Sequence, residues 1–192
     1  RRRQVTTLPA ERYAALLCDR MAVSAPPAEQ LETALKLMSG QPYPAEAWES
    51  VLLPARVGRY NPQVLDNLLN GGSFFWQLSP DGSLRFGRTA DIDWEAEVPI
   101  PEGLYEDEKA IYQALLKYGA SFMQRFSGLV SGSPAEPLMR LAEKGFVTAD
   151  SFIPVRQWLE RGRIEKGTVR QRVNARVQVL TVAELLDGTT ID

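Results

Sequence analysis

A chain of 192 residues has room for one or two domains, and an apolar content of 44% supports ordinary cores. A formal net charge of −2 argues by itself against a nucleic-acid binder, and the absence of histidine removes Ser-His and Cys-His nucleophile pairs and any imidazole proton shuttle. The one cysteine, Cys18, forms no internal disulfide, which fits a reducing cytosol, and zinc would have to rely on that thiolate and carboxylates.

No GxxxxGK[ST] phosphate loop occurs, so ATP hydrolysis is not expected within the chain, and Gly71-Gly72 suits a helix exit better than a phosphate cradle. No apolar run approaches the roughly 18 residues that cross a bilayer, and nothing near Arg1 has the order of a signal peptide. The expectation is a cytoplasmic binding module rather than an enzyme. Its abrupt start at Arg1-Arg2-Arg3 reads as a piece cut from something longer.

Pro9 to Ala22 places Tyr13, Leu16, Leu17 and Met21 at helical spacing and predicts a lone leading helix, which with the break at residues 24–27 makes a first segment, 1–27. Ala28 to Ser39 predicts a second helix, with Leu31, Ala34, Leu35 and Met38 inward. Pro44 opens a third, burying Trp48, Val51 and Leu52. For a fourth, Asn61 suits the cap, Pro62 the first helical position and Gly71-Gly72 the exit. Val64, Leu65, Leu68 and Leu69 fall on one face of it, leaving Gln63, Asp66, Asn67 and Asn70 outward. Phe74, Trp76 and Leu78 then alternate, Ser79-Pro80-Asp81-Gly82 turns, and Leu84 and Phe86 resume the alternation. Helices closed by a hairpin over residues 28–92 make a winged helix-turn-helix, with the amide-rich face as its recognition helix and the hairpin as its wing.

Residues 93–102 are acidic, short and proline-bearing, and read as a linker. The plan then repeats over 103–163. Gly103 to Tyr118 predicts a helix with Ala110, Ile111, Ala114, Leu115 and Tyr118 in a stripe, ended by Gly119. Ser121 to Leu129 predicts another, with Phe122, Met123 and Phe126 inward. Ser133 and Glu136 form a capping box for a helix that buries Leu138, Leu141 and Ala142, exposes Arg140 and Lys144, and stops at Gly145. Phe146-Val147 starts a strand, the wing being shorter than the first, and Asp150 to Glu160 carries Phe152, Val155, Trp158 and Leu159. Residues 164–192 read as a truncated basic strand or linker segment: Val169, Val173, Ala175, Val177 and Val179 alternate with polar residues, but Val169, Val173 and Val177 also fit a helix. No partner for such a strand is evident. The fold class is mainly α (α+β), with tandem winged helix-turn-helix units.

The charges are uneven. From Asp91 to Glu108 eight acids, Asp91, Asp93, Glu95, Glu97, Glu102, Glu106, Asp107 and Glu108, meet no base. From Arg156 to Arg176 the bases Arg156, Arg161, Arg163, Lys166, Arg170, Arg172 and Arg176 face only Glu160 and Glu165. A local stripe, not the total, sets the field felt by a phosphate within a Debye length of about 8–10 Å. The alternative is a solvated surface whose charges offset one another across the fold.

The run LLPARVGRYNPQVLDNLLNGGSFFWQL, followed by DGSLRF, resembles the region after the motor domains in the large helicase-related (Lhr) family of superfamily-two helicases. The shared positions are Leu53, Pro54, Arg56, Val57, Tyr60, Pro62, Leu65, Asp66, Leu68 and Trp76. In the second unit, Gly119, Ala120, Phe122, Gly145, Val147, Thr148, Asp150, Phe152, Pro154 and Arg156 hold places similar to the family's pattern. The likeness spans about Pro9 to Leu159. It departs at Cys18-Asp19, where members often place tryptophan, and at Phe75 and Gln77, where small residues are common. The resemblance implies a parent that is an ATP-dependent helicase moving 3′ to 5′ on single-stranded DNA, unwinding DNA or RNA:DNA hybrids in a DNA-repair, nucleoid-associated setting. ATP and Mg would sit in the parent's motor domains, and this fragment would hold no cofactor and no metal.

On that reading the chain is a nucleic-acid-binding accessory fragment whose partners are single-stranded DNA or an RNA:DNA hybrid and the parent's own motor domains, with no membrane. The candidate contacts are Arg56, Arg59, Arg85, Arg88, Arg140, Lys144, Arg156, Arg161 and Arg163 for phosphates, and Gln63, Asn67 and Asn70 for base edges or backbone. Each could equally be ordinary surface, and Arg56 could pair with Asp66. Trp76 suits the core better than a stacking platform. Two alternatives stand beside this: a DNA glycosylase-like module, with Asp81, Asp150, Asp187 or Asp192 as carboxylate, and a protein-docking region that positions the motor.

Overall fold

The structure, a computed structural model, describes residues 9–20, 24–96, 101–164 and 176–179. Helix α1 (Ala10–Arg20) leads. Two residues of its expected stripe, Tyr13 and Leu16, are exposed, while Met21 and the Leu17 side chain lie outside the described residues. Helix α2 (Pro27–Leu37) buries Leu31, Ala34 and Leu35, with Met38 just past its end, on the face their spacing predicts.

Strand β1 (Tyr43–Pro44) and α3 (Ala45–Ala47) run into a π turn over Trp48–Leu52. The Leu53 N–H bonds the Trp48 carbonyl five residues back, at 2.9 Å. This wider turn brings Trp48 and Leu53 together in the core and swings Val51 out to 60% exposure, against the expectation that Val51 packs inward. The Trp48 indole donates to the Leu84 carbonyl at 2.8 Å and packs edge-on against Phe86.

Helix α4 (Pro62–Asn70) starts as its sequence dictates. Asn61 Oδ1 accepts from the Gln63 N–H at 2.9 Å, Pro62 sits in the first turn, and Gly72 takes a positive φ beyond the exit. Strands β2 (Phe74–Leu78) and β3 (Ser83–Arg88) form the hairpin, closed at Ser79–Gly82, and β1 pairs with β3, giving the sheet order β1-β3-β2.

The second unit uses α5 (Glu106–Tyr118), β4 (Ser121–Phe122), a 3₁₀ turn at Met123–Phe126, α6 (Ala135–Glu143), β5 (Val147–Ala149), α7 (Ile153–Ile164) and β6 (Arg176–Val179). Its sheet order, β4-β6-β5, reproduces the first: the opening strand lies at one edge and the last strand in the middle. The tandem winged-helix plan is therefore present, with α7 inserted between the second and third strands of the second copy. The segment expected to lack a partner supplies β6, which pairs with both β4 and β5. Val169 and Val173, the helix-compatible positions, lie outside the described residues.

Three local expectations are corrected. Ser121–Leu129 is not a helix, because Ser121 and Phe122 pair with β6. Alternation along that strand buries Ser121 and turns Phe122 outward, and Tyr118, at the end of α5, is exposed too. Before α6 there is no reciprocal capping box: the Ser133 hydroxyl accepts from the Ala135 N–H at 3.3 Å, and Pro134 holds the cap position.

The units are joined by a seam rather than only by the linker. Every residue of β2 is buried, on both faces. Trp76 Nε1 donates to the Ser151 carbonyl at 2.9 Å, Thr148 Oγ1 donates to the Trp76 carbonyl at 2.6 Å, and Gln77 Nε2 donates to the Gly145 carbonyl at 2.9 Å. Phe86 stacks on Phe152 with centroids 5.6 Å apart. One hydrophobic cluster runs through both units.

Candidate nucleic-acid interface

The face of α4 away from the core carries Gln63, Asn67 and Asn70, all exposed. Gln63 Nε2 donates to Asn67 Oδ1 at 3.0 Å across one helical turn. Asn67 Nδ2 and Gln63 Oε1 remain without a protein partner among the described residues, one donor and one acceptor side by side. Arg59, two residues before the cap, is exposed and has φ 56°; it is the one non-glycine residue with positive φ among the described residues. Arg56 is half-buried, and its Nη1 donates to the Leu52 carbonyl at 2.9 Å, capping the π turn.

Asp66, expected on that outward face, is buried instead. Its Oδ1 accepts from the Phe152 N–H and its Oδ2 from Arg156 Nη1, each at 2.7 Å. Arg156 therefore makes the pairing considered for Arg56. It also donates from Nε to Glu49 Oε2 at 2.7 Å and from Nη2 to Glu49 Oε1 at 2.9 Å. Burial works against the guanidinium charge, but Glu49 and Asp66 outweigh it and hold the Arg156 pKa above its ordinary value. Tyr60 donates its hydroxyl to Glu49, and burial together with that carboxylate pushes its pKa up. Arg156 is thus turned into the seam, its donors used by two carboxylates and the Pro62 carbonyl.

Arg140, on α6, and Lys144, just past its end, are similarly engaged. Arg140 Nε and Lys144 Nζ reach the two oxygens of the fully buried Glu108 at 2.6 Å each, and Arg140 Nη2 reaches Asp107 at 2.6 Å. Burial would raise the Glu108 pKa; hydrogen bonds from Lys144, Arg140 and the Tyr105 N–H hold it below its ordinary value. The end of the acidic run thus offsets these two bases. The signal was in the sequence, as three consecutive acids opening α5, but the partners of Asp107 and Glu108 lie more than thirty residues away.

Arg85 is half-buried and donates to Gln77 Oε1 at 2.9 Å, with burial lowering its pKa. Arg88 pairs with Asp91 at the surface. Arg161 is exposed and lines an open cleft of about 650 Å³ with Glu46, Glu136, Arg140, Glu143 and Trp158. Arg163 belongs to α7, but its side chain lies outside the described residues. Of the twelve candidates, Gln63, Asn67, Asn70, Arg59 and Arg56 therefore gather on and just before α4, and Arg140, Lys144 and Arg156 are brought to internal carboxylates.

Among the alternative carboxylates, Asp81 organises the hairpin turn, its Oδ1 accepting from the Ser83 N–H at 2.9 Å and hydroxyl at 2.7 Å. Asp187 and Asp192 lie outside the described residues. Among the described residues no group of three or more acids or thiols is placed to hold a metal ion, and no helix is long and apolar enough to cross a membrane.

Residues 8–90 match the winged-helix domain of the large helicase-related protein. The chain is 32% identical over 147 residues to a Mycolicibacterium smegmatis protein named Lhr helicase/probable uracil glycosylase, covering 69% of this chain. It is 27% identical over 159 residues to an Escherichia coli protein named Lhr helicase/uracil glycosylase, covering 74% of this chain. In both cases the chain spans about 10% of the relative's length.

Proposed function

Because the chain belongs to the large helicase-related family and carries that family's winged-helix domain over residues 8–90, we propose that it is the nucleic-acid-binding accessory part of an ATP-dependent, cytoplasmic DNA-repair helicase. The exposed amide face of α4, with Arg59 and Arg56 just before it, is the observation that carries this reading. Strand β2 of the wing is buried on both faces, whereas the amide face of α4 and the turn at Ser79–Gly82 stay accessible. Gln63 and Asn67 would bond to base edges or backbone, and the arginines would hold phosphates of single-stranded DNA or an RNA:DNA hybrid. ATP and Mg would be handled by motor domains elsewhere in the parent, against which the chain also packs.

Fluorescence anisotropy of the 192-residue chain with single-stranded DNA and with an RNA:DNA hybrid, across a salt series, tests the proposal. The expected affinity falls with salt, and Arg59→Glu weakens it and reduces the salt slope by about one or more. Binding that is absent at low salt, or flat with salt, would overturn the proposal in favour of a surface that only positions the motor.

The relatives' names give a second reading, a glycosylase-like module. It predicts strand breaks at uracil after incubation of uracil-bearing DNA with the chain and alkaline work-up. Intact substrate after long exposure removes it.

A further inference from the structure

At the junction of α5 and β4 the second unit presents two aromatic rings to solvent, Tyr118 at 51% and Phe122 at 58% exposure. The fold forces Phe122 outward, since pairing with β6 buries its neighbour Ser121 and side chains alternate along a strand. Two cations sit over the Tyr118 ring: the Arg125 guanidinium at 4.4 Å from the centroid and the Lys117 ammonium at 5.0 Å. Neither forms an ion pair with a carboxylate among the described residues. Arg140, Lys144 and Arg156, by contrast, are each held by two acids or a buried one. Among the described residues β4 is also an edge strand, so no described strand of its own sheet covers its outer side.

From this arrangement we infer that Tyr118, Phe122, Lys117 and Arg125 form a second contact site for single-stranded nucleic acid, separate from α4. The exposed Phe122 ring offers a π face on which an unpaired base stacks, and Tyr118 holds the two cations that, without carboxylate partners among the described residues, supply the phosphate contacts; together these are the chemistry of sequence-tolerant single-strand binding. Bases within a duplex are already stacked, so the site selects single strands. Charge decides between nucleic acid and a protein partner of neutral or basic character: the two cations would be left unmatched against such a surface. The inference rests on the nucleic-acid reading of the chain and adds to it the second unit and the mode of contact.

The test measures anisotropy with a single-stranded oligonucleotide, and with the same strand carrying an abasic stretch, for the wild-type chain, Tyr118→Ala/Phe122→Ala, Tyr118→Phe/Phe122→Tyr and Arg59→Glu. Circular-dichroism melts confirm that the variants fold, as expected for exposed positions. The alanine pair is expected to weaken binding of the normal strand by about tenfold or more and to leave abasic binding unchanged, while the conservative pair keeps wild-type affinity. Photocrosslinking with 5-iodouracil should label the peptide spanning Tyr118 to Arg125. If the alanine pair binds as wild type while Arg59→Glu is weakened, the inference is overturned and the patch is a protein-docking surface. If the wild-type chain binds no strand at low salt, both this inference and the proposed function fall.

Discussion

Gly87 sits opposite Phe75 in the hairpin ladder, and a Cβ built on it would come within 2.3 Å of the Phe75 ring. The ring lies across the glycine and closes the face that meets the second unit, an aromatic covering a strand position with no side chain. Gly87→Ala must displace a buried ring, at a cost of about 1–3 kcal/mol, read as a lower urea midpoint. Phe75→Leu in the same chain should restore part of that loss, and a Gly87→Ala midpoint equal to wild type would refute the packing. Glu108 supplies the other single-residue prediction. Its folded pKa lies below the ordinary 4.5, so its contribution is fully present above that value and is lost as pH falls through the lowered pKa. Urea midpoints should therefore decline from about pH 4.5 downward. Glu108→Gln should be less stable at pH 7 and show a shallower decline in acid; an unchanged profile would mean that the Arg140–Glu108–Lys144 cluster contributes little.

At the scale of elements, α7 sets the orientation of α4. Inserted between the second and third strands of its own unit, it carries Arg156 across the seam to Glu49 in the π turn and to Asp66 on α4. Asp66 also caps the Phe152 N–H just before α7 starts, so one carboxylate ties two helices together. Because Arg156 is still about one-quarter accessible, its removal should cost more than the roughly 1 kcal/mol of an exposed pair and less than the 3–5 kcal/mol of a fully buried one. Arg156→Ala should accordingly speed amide hydrogen exchange in both α4 and α7, with Arg156→Lys recovering little, since an ammonium cannot reproduce the forked contacts. Faster exchange confined to α7 would show that the node does not hold α4.

Across the whole molecule, the continuous core and the buried polar bonds of the seam predict one cooperative unfolding transition rather than two. Trp76 is central to this, because its ring belongs to the first hairpin while its indole N–H bonds the Ser151 carbonyl. Heating followed by tryptophan fluorescence and by far-ultraviolet circular dichroism should give coincident curves. Trp76→Ala opens a large cavity at the seam and should separate them, whereas Trp76→Phe, losing mainly one hydrogen bond, should lower stability by about 1 kcal/mol and keep them together. Two transitions in the wild type would contradict the shared core.

The sequence by itself determined the elements whose causes are local. Asn61-Pro62 and Gly71-Gly72 bound α4, alternation at Phe74, Trp76, Leu78, Leu84 and Phe86 built the hairpin, and the repeated order of helices and strands gave the tandem plan. It also placed Gln63, Asn67 and Asn70 on one face. Only tertiary structure decided what lies across the seam. Asp66 meets Arg156 ninety positions away, Glu108 meets Arg140 and Lys144, and β6 finds its place between β4 and β5. Helical periodicity and capping act over a few residues, so they can be read along the chain. Ion pairing and strand pairing depend on which surfaces meet after folding, and nothing in the local spacing of Asp66 or Phe122 encodes the neighbour that buries one and turns the other to solvent.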